Sequence, residues 1–517
     1  MNKIQHYVLP EHTNTLYKEE AISSIGLTRD VADKINELVD ALNTLSETDL
    51  RWKQTQEGII RKGVIYMKDN LINTLTDLLK LYDYDTIKRM MMEAYGKDLR
   101  IFVTPQMFGA VGDGVTNDTE AIEKAIASLS PGDTLYFPKG TYLMTGKAVE
   151  ISTSHITFEG EGLIKCDYGF RPKASHFKAV GLRMECTSYG QDHRAFMMEE
   201  TAETPNYLEG FTFKDCYFKN FFYSVCAVGG AYNYDGTEED RGYPIRDLVI
   251  ENCHSVTYYD QNAGHFQCIQ VENISYINNR TYGGKNASSY NAIKGNGYIR
   301  VIGNYDHSNT YASCEIENGS GNAVVSGNTF GGKIWIDDSI YCIVNGNIAD
   351  AGISVTVGSN VGNSRNIVIA NNVCRNIRCE QFGTYEGGLI EHVNIVGNTV
   401  SGTNTHGIWI HGNAVIKAHI ADNMITGTNV NNDIAITRNA QLKCFIRGNF
   451  GNGKNLLLSG TGGEVIVMDN LNFENSGTRD AFPASKLERT FNALRIKDTS
   501  EKVWEVSVST SGALEVK

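Results

Sequence analysis

Proline is scarce in this chain: 8 residues in 517, and none between Pro10 and Pro105. Over that span nothing removes a backbone N–H or wedges a ring against the preceding turn, so long helices are allowed. Long apolar runs are also missing. No 18 consecutive apolar residues occur, and Met1–Pro10 has no leader-like apolar core. This predicts a chain that neither spans a membrane nor follows the usual secretory route. Basic excess is absent: 47 Lys and Arg against 60 Asp and Glu give a formal charge of −13. That argues against nucleic acid or an anionic membrane as a partner. Cysteine pairing is absent too. The 11 Cys are odd in number and scattered, no C-x-x-C occurs, and several sit in apolar strand phases, as in Tyr341-Cys342-Ile343. Buried free thiols are expected rather than disulfides or a metal site, which fits synthesis in a reducing cytoplasm.

What the chain has in quantity is glycine, 51 residues, and a recurring phrase between Val249 and Asn470. A few alternating apolar residues are followed by a small residue and then Asn, at Asn252, Asn279, Asn304, Asn328, Asn347, Asn372, Asn398, Asn423, Asn449 and Asn470. The period averages about 24 residues, which marks a repeat architecture. Apolar alternation is strand periodicity, and no ten-residue helical pattern lies between copies. Short strands closed by tight corners predict a mainly β, right-handed parallel β-helix. Asn suits the corners because it tolerates left-handed dihedrals. Stacked amides can also bond from rung to rung.

Upstream, Val31, Ile35, Leu38, Leu42 and Leu45 form a heptad seam, resumed at Ile60, Val64, Met67 and Leu71. The seam must be buried, either by two helices of one chain or between subunits. The helical period stops at Ile101. A Gly/Asp turn at 109–114 precedes a helix near 117–129, capped by Asn117 or Asp118, with Ala121, Ile122, Ala125 and Ile126 on one face. Asp113 and Asp118 read as turn and helix-start residues first, with a bound cation as the lesser option. After Asn470, alternation in Trp-Glu-Val-Ser-Val-Ser and a turn at Ser511–Gly512 predict a small β module. The predicted domains are a helical region 1–100, a β-helix 101–474 and a C-terminal module 475–517.

The run FGAVGDGVTNDTEAIEKAI followed by LYFPKGTYLM resembles the opening of the pectate-lyase-like β-helix domain of tailed-phage tailspikes and appendage proteins. The resemblance implies a homotrimer whose N-terminal helix plugs the open end of the solenoid. It also implies attachment to other phage tail or baseplate proteins through the N-terminal region. The protein would be made in the host cytoplasm, carried on the virion and active at the host cell surface.

Chemistry can be sought by aligning rungs. With Val271, Ile293, Ile316, Ile336 and Val355 taken as inward, one outer column reads Glu272, Lys294, Glu317, Asp337, Thr356. The next reads Gln270, Ala292, Glu315, Trp335, Ser354. Carboxylates on rungs about 4.8 Å apart repel, which raises one pKa as a general acid requires. A pair about 5–5.5 Å apart suits a retaining glycosidase and one about 6.5–9.5 Å apart an inverting one; both remain open. Glu272, Glu315, Glu317 and Asp337 are therefore the candidate acid/base set, and a solvated acidic face is the plainer alternative. Trp335 offers a stacking platform and Lys294 a carboxylate partner. Asp338, Gln270 and His265 are further ligand-contact candidates. Trp409 and His411 repeat the column several rungs on. Tyr223, Tyr232, Tyr234, Tyr258 and Tyr259 cluster near a predicted surface loop at 232–244, where Tyr258 and Tyr259 are candidate sugar contacts.

From the resemblance, the expected function is binding and hydrolysis of a host surface polymer: capsular or surface polysaccharide, or wall teichoic acid. The Asn-, Ile- and Lys-rich composition favours a low-GC Gram-positive host and thus teichoic acid. No cofactor is required, but Ca²⁺ or Mg²⁺ would be needed to bridge acidic residues to a polyphosphate. A lyase is disfavoured, since no Lys/Arg cluster appears beside the acidic column. The alternative is a receptor-binding fibre without turnover, its carboxylates recognising sugar hydroxyls or a cation.

Overall fold

The computed structural model describes residues 102–470, apart from short segments of which 230–244 is the longest, and three further strands near the C-terminus. The expected heptad helices and the predicted loop 232–244, with Tyr232 and Tyr234, lie outside the described residues.

Three parallel sheets of 15, 13 and 13 strands run the length of the molecule, each strand pairing with its counterpart one turn away. This is the right-handed parallel β-solenoid expected from the period. Inward positions of all three sheets form one continuous apolar core. The first rungs are filled by aromatics, with Phe158, Phe170, Phe177, Phe196 and Phe213 packed ring to ring. Later rungs hold Ile and Val, which suit a pleated, closely stacked wall. All 11 cysteines are free and buried.

Helix α1 (Thr119–Ala127) buries Ala121, Ile122, Ala125 and Ile126 against the first rungs. Its period-3.6 apolar stripe covers rung edges that would otherwise face water. Asp118 is nearly fully buried, and its carboxylate accepts from the N–H groups of Val111 (2.7 Å) and Gly112 (3.2 Å). Asp113 likewise accepts from Val115, Thr116 and the Thr116 hydroxyl. Both carboxylates therefore hold loop backbone.

The Asn column is a ladder from Asn279 to Asn470. Each Nδ2 donates to the next Oδ1 at 2.8–3.1 Å. The same Oδ1 also accepts the backbone N–H of the preceding Asn, as Asn372 does from Asn347 (2.9 Å). Two expectations change here. The left-handed residue is the one before the ladder Asn: Asn278, Gly303, Gly327, Gly346, Asn371, Gly397, Asp422 and Gly448 have φ between +54° and +68°. Asn252 also falls in that preceding column, with φ +52°, and is exposed. The ladder place on its rung belongs to Cys253, whose N–H donates to Asn279 Oδ1 (2.8 Å) and whose thiol reaches the Phe213 carbonyl (3.4 Å).

Near the C-terminus, Leu494–Lys497, Val503–Val508 and Leu514–Val516 form an antiparallel three-stranded sheet.

Candidate functional site

The acidic residues converge on the third sheet, on strands Phe266–Ile269, Tyr290–Ile293, Ala312–Glu317, Lys333–Asp337, Ile353–Val357, Ile377–Gln381 and His406–His411. Register fixes the inward column as Cys268, Ala292, Ile316, Ile336, Val355, Cys379 and Ile410. One flanking column runs Gln267, Asn291, Glu315, Trp335, Ser354, Arg378, Trp409. The other runs Ile269, Ile293, Glu317, then Asp337, Thr356, Glu380 and His411.

Glu315, Glu317 and Asp337 are thus brought together, and six other candidates lie elsewhere. Glu272 lies in the first sheet, on Val271–Ile277, where it pairs with Arg246 (2.8 Å). Gln270 and Lys294 sit at corners between the sheets, with φ of +53° and +50°. The string Ile269–Asn273 spans two sheets, and its alternation continues unbroken through the corner, so the aligned frame slipped by three residues there and by one at Ile293. Tyr258 is exposed on the second sheet, on His254–Asn262. Tyr259 shares that strand, and its side chain is not among those described. His265 is fully buried; Ser255 lies 2.6 Å from its Nδ1, and burial pushes its pKa down to about 4. It is a core residue.

Within the cluster, Ser288 and Asn291 hydrogen-bond Glu315, the latter at 3.2 Å. Asn291 Nδ2 also reaches Glu317 (3.5 Å), and the two glutamates bond each other. Trp335 Nε1 donates to the Thr356 hydroxyl at 2.6 Å, which in turn donates to Asp337. Asp338, at a left-handed position, accepts from the Gly358 N–H (3.4 Å). Glu315 and Asp337 are only 6% and 8% exposed. Burial raises the pKa of Glu315. Burial, then the charge of Glu315, pushes Glu317 up to about 8. Burial pushes Asp337 to about 6 against the opposing Thr356 hydrogen bond. Glu317 is thus raised further than Asp337, and carboxyls pushed apart in this way are the division that acid/base catalysis needs.

Several residues escaped the sequence reading. Lys333 lies 3.5 Å over the Trp335 ring, and Tyr311 packs at 5.6 Å. Lys333 therefore places a cation beside Glu315 and Asp337, contrary to the expectation of none, with Arg378 two rungs on from Trp335, and burial lowers the Lys333 pKa. The Trp335 face is covered, so Tyr311 (36% exposed) presents the more open aromatic surface. Tyr223, of the Tyr cluster noted in the sequence, accepts from the Gln267 amide (3.2 Å), and burial, with the charges of both glutamates among lesser causes, raises its pKa. Asn291 Oδ1 is buried with no hydrogen-bond partner among the described residues. Stepping back one period from Glu315 in the correct register would have found Asn291. Three rungs from Trp335, Trp409 packs between His406 (5.1 Å) and His411 (4.7 Å) under Arg378.

A separate concavity of about 830 Å³ lies beside α1, but its acids Glu123 and Glu150 are paired with Lys147 and Lys173. It has no group poised for chemistry.

The family described as rhamnogalacturonase A/epimerase, pectate lyase-like, matches residues 102–173. The preneck appendage protein of Bacillus phage PZA is 22% identical over 508 residues, covering 89% of this chain and 54% of that protein. The pre-neck appendage protein of Bacillus phage B103 is 29% identical over 132 residues, 25% of this chain and 14% of that one. The capsule K30/K69-specific depolymerase of Klebsiella phage K64-1 is 41% identical over 66 residues, 13% of this chain and 8% of that one. The chain spans about half the length of the PZA relative and smaller shares of the others. The chain is a right-handed parallel β-solenoid whose residues 102–173 match the pectate-lyase-like family, and it is similar to phage preneck appendage and depolymerase proteins.

Proposed function

We propose that this chain is the solenoid of a phage tail appendage that binds a host surface polysaccharide and hydrolyses it at the Glu317–Asp337 centre. One observation carries the reading: carboxyls on adjacent rungs have their pKa values pushed to about 8 and about 6, straddling neutrality. Glu315 and Glu317 are hydrogen-bonded, closer than the ~5 Å that a glycosidic bond between two acting carboxyls needs. Glu315 therefore acts on Glu317, holding its proton. Glu317 is the general acid toward the leaving oxygen, and Asp337 is the base or nucleophile. Depolymerase and appendage relatives support a virion tail location and a carbohydrate ligand. Lys333 and Arg378 favour an anionic polymer, capsular or teichoic, without an obligatory Ca²⁺ or Mg²⁺ bridge. The homotrimer and attachment through the N-terminal region remain part of this proposal.

The test is incubation of the purified protein with capsular and wall polymers, following product size, new reducing ends and unsaturated products. Glu317→Gln is expected to lower kcat by about 10²–10⁴-fold with binding retained. The wild-type kcat/KM should rise through about pH 6 and fall through about pH 8. Unsaturated products would replace hydrolysis by elimination with Lys333 as the candidate base. The burial of Glu315 and Asp337 favours a second reading, a receptor-binding fibre without turnover. Tight binding with no product from any polymer would establish it.

A further inference from the structure

Asp167, Cys186 and His193 each direct a ligand atom into one spot, all within 4.8 Å of one another. They come from separate pieces of chain. Cys186 ends strand Arg183–Cys186, and its register partner Cys166 on the adjacent rung is followed by Asp167. His193 comes just before strand Arg194–Glu199. Cys186 and His193 are buried and Asp167 half-buried. The Cys186 Sγ lies 3.6 Å from His193 Nδ1. Tetrahedral zinc, with Zn–S about 2.3 Å and Zn–N about 2.0–2.1 Å, places sulfur and nitrogen about 3.6 Å apart. A concavity of about 300 Å³ lined by Tyr168, Asp192 and Arg194, chain neighbours of these ligands, offers a route in.

We propose that Asp167, Cys186 and His193 form a binding site for a thiophilic divalent metal ion, zinc foremost, which clamps two solenoid rungs to the turn before Arg194. The metal-free form already has a local arrangement: the Ser188 carbonyl lies 2.9 Å from Sγ and 2.8 Å from His193 Nδ1. Binding exchanges these two hydrogen bonds for two metal bonds. The thiol proton leaves to solvent, and the imidazole proton, which donates from Nδ1 to the Ser188 carbonyl in the metal-free form, is exchanged through solvent for one on Nε2, freeing the Nδ1 lone pair for the metal. Thr187 and Ser188 hydroxyls already hold Asp167 Oδ1, as outer-sphere donors orient a metal carboxylate. A thiolate, an imidazole and one carboxylate select zinc over Ca²⁺ or Mg²⁺, which prefer all-oxygen sites. The fourth position is left for water. The site is independent of the Glu317–Asp337 chemistry, but it fixes the turn leading into Arg194, which pairs in register with Tyr223 on the next rung.

The experiment is Co²⁺ titration of the full chain, prepared without metal under reducing conditions, followed by Zn²⁺ displacement. A thiolate-to-cobalt charge-transfer band should saturate at about one equivalent and vanish on adding Zn²⁺. Asp167→Asn should weaken binding at least about 10-fold, and Cys186→Ser should abolish the band. Cys444→Ser, a distant buried thiol, should leave it unchanged. If Cys186→Ser fails to fold by circular dichroism, His193→Gln takes its place. No band in the wild type, or a band that survives in both Cys186→Ser and His193→Gln, would overturn the site.

Discussion

At the residue scale, Asn372 shows how much one side chain can carry. Its Nδ2 donates to the Val344 carbonyl and to Asn398 Oδ1, both at 2.9 Å. Its own Oδ1 accepts from the N–H and the Nδ2 of Asn347, both at 2.9 Å. Asn372→Ala deprives the Asn347 N–H and Nδ2 and the Val344 carbonyl on the preceding rung of this partner, and removes one donor from Asn398 Oδ1 on the next. Each orphaned group costs about 1–3 kcal/mol, so a loss of about 3 kcal/mol or more is expected by denaturant titration. Asn278→Ala, in the preceding left-handed column, should act differently: it adds backbone strain without breaking the ladder. The ladder was legible because its spacing repeats, and chemistry was legible at Glu315, Glu317 and Asp337 because acids on neighbouring rungs are conspicuous. Lys333, Tyr311 and Asn291 were not, since nothing in their spacing tells that they meet a carboxylate or an indole.

At the element scale, strands were easier to find than corners. Parallel strands of the first sheet recur at nearly constant intervals, whereas the turns between sheets vary in length. Gln270 turns the chain within an unbroken apolar alternation, so Val271 looks like a continuation of Ile269 although it belongs to another sheet. A single left-handed residue thereby shifted Glu272 out of a site to which sequence spacing had assigned it. Helix α1 is the opposite case, because its apolar stripe is a local signal, although the Asp118 carboxylate at its start holds Val111 and Gly112 rather than capping the helix. Ile122 is fully buried at the centre of that stripe. Ile122→Ala should cost about 2–5 kcal/mol through lost transfer energy and the cavity left behind. The variant should also bind more of a hydrophobic dye during mild heating, since loosening α1 uncovers the first aromatic rungs. Glu120→Ala, on the exposed face and paired with Lys124, should leave the denaturant midpoint nearly unchanged, because a solvated ion pair contributes little.

At the scale of the whole molecule, each rung contacts only its neighbours, so an unfavourable rung is tolerated when those beside it are well packed. The acidic centre is such a place: Glu315 and Asp337 are buried and Glu317 half-buried on adjacent rungs over a core of Ile316, Ile336 and Val355. Its cost depends on pH with a definite sign. The Glu317 carboxyl has an ordinary value of 4.5 and is pushed to about 8 in the folded chain. Between those values the folded state keeps a proton that the unfolded state has released. The stability it contributes is complete below about 4.5 and is lost as pH rises through about 8, with a slope approaching about 1.4 kcal/mol per unit. Asp337 has the same sign between 3.8 and about 6. In Glu317→Gln the amide cannot ionise, so the variant should gain on the wild type steadily as pH rises across that window. Denaturant midpoints of the two proteins, measured side by side at pH values from about 5 to 9, read the difference directly. A gap that widens with pH means that Glu317 enters the fold protonated, as a general acid must. A constant gap means that it is ionised in the folded chain, and the centre then binds its ligand as a charged surface without supplying a proton.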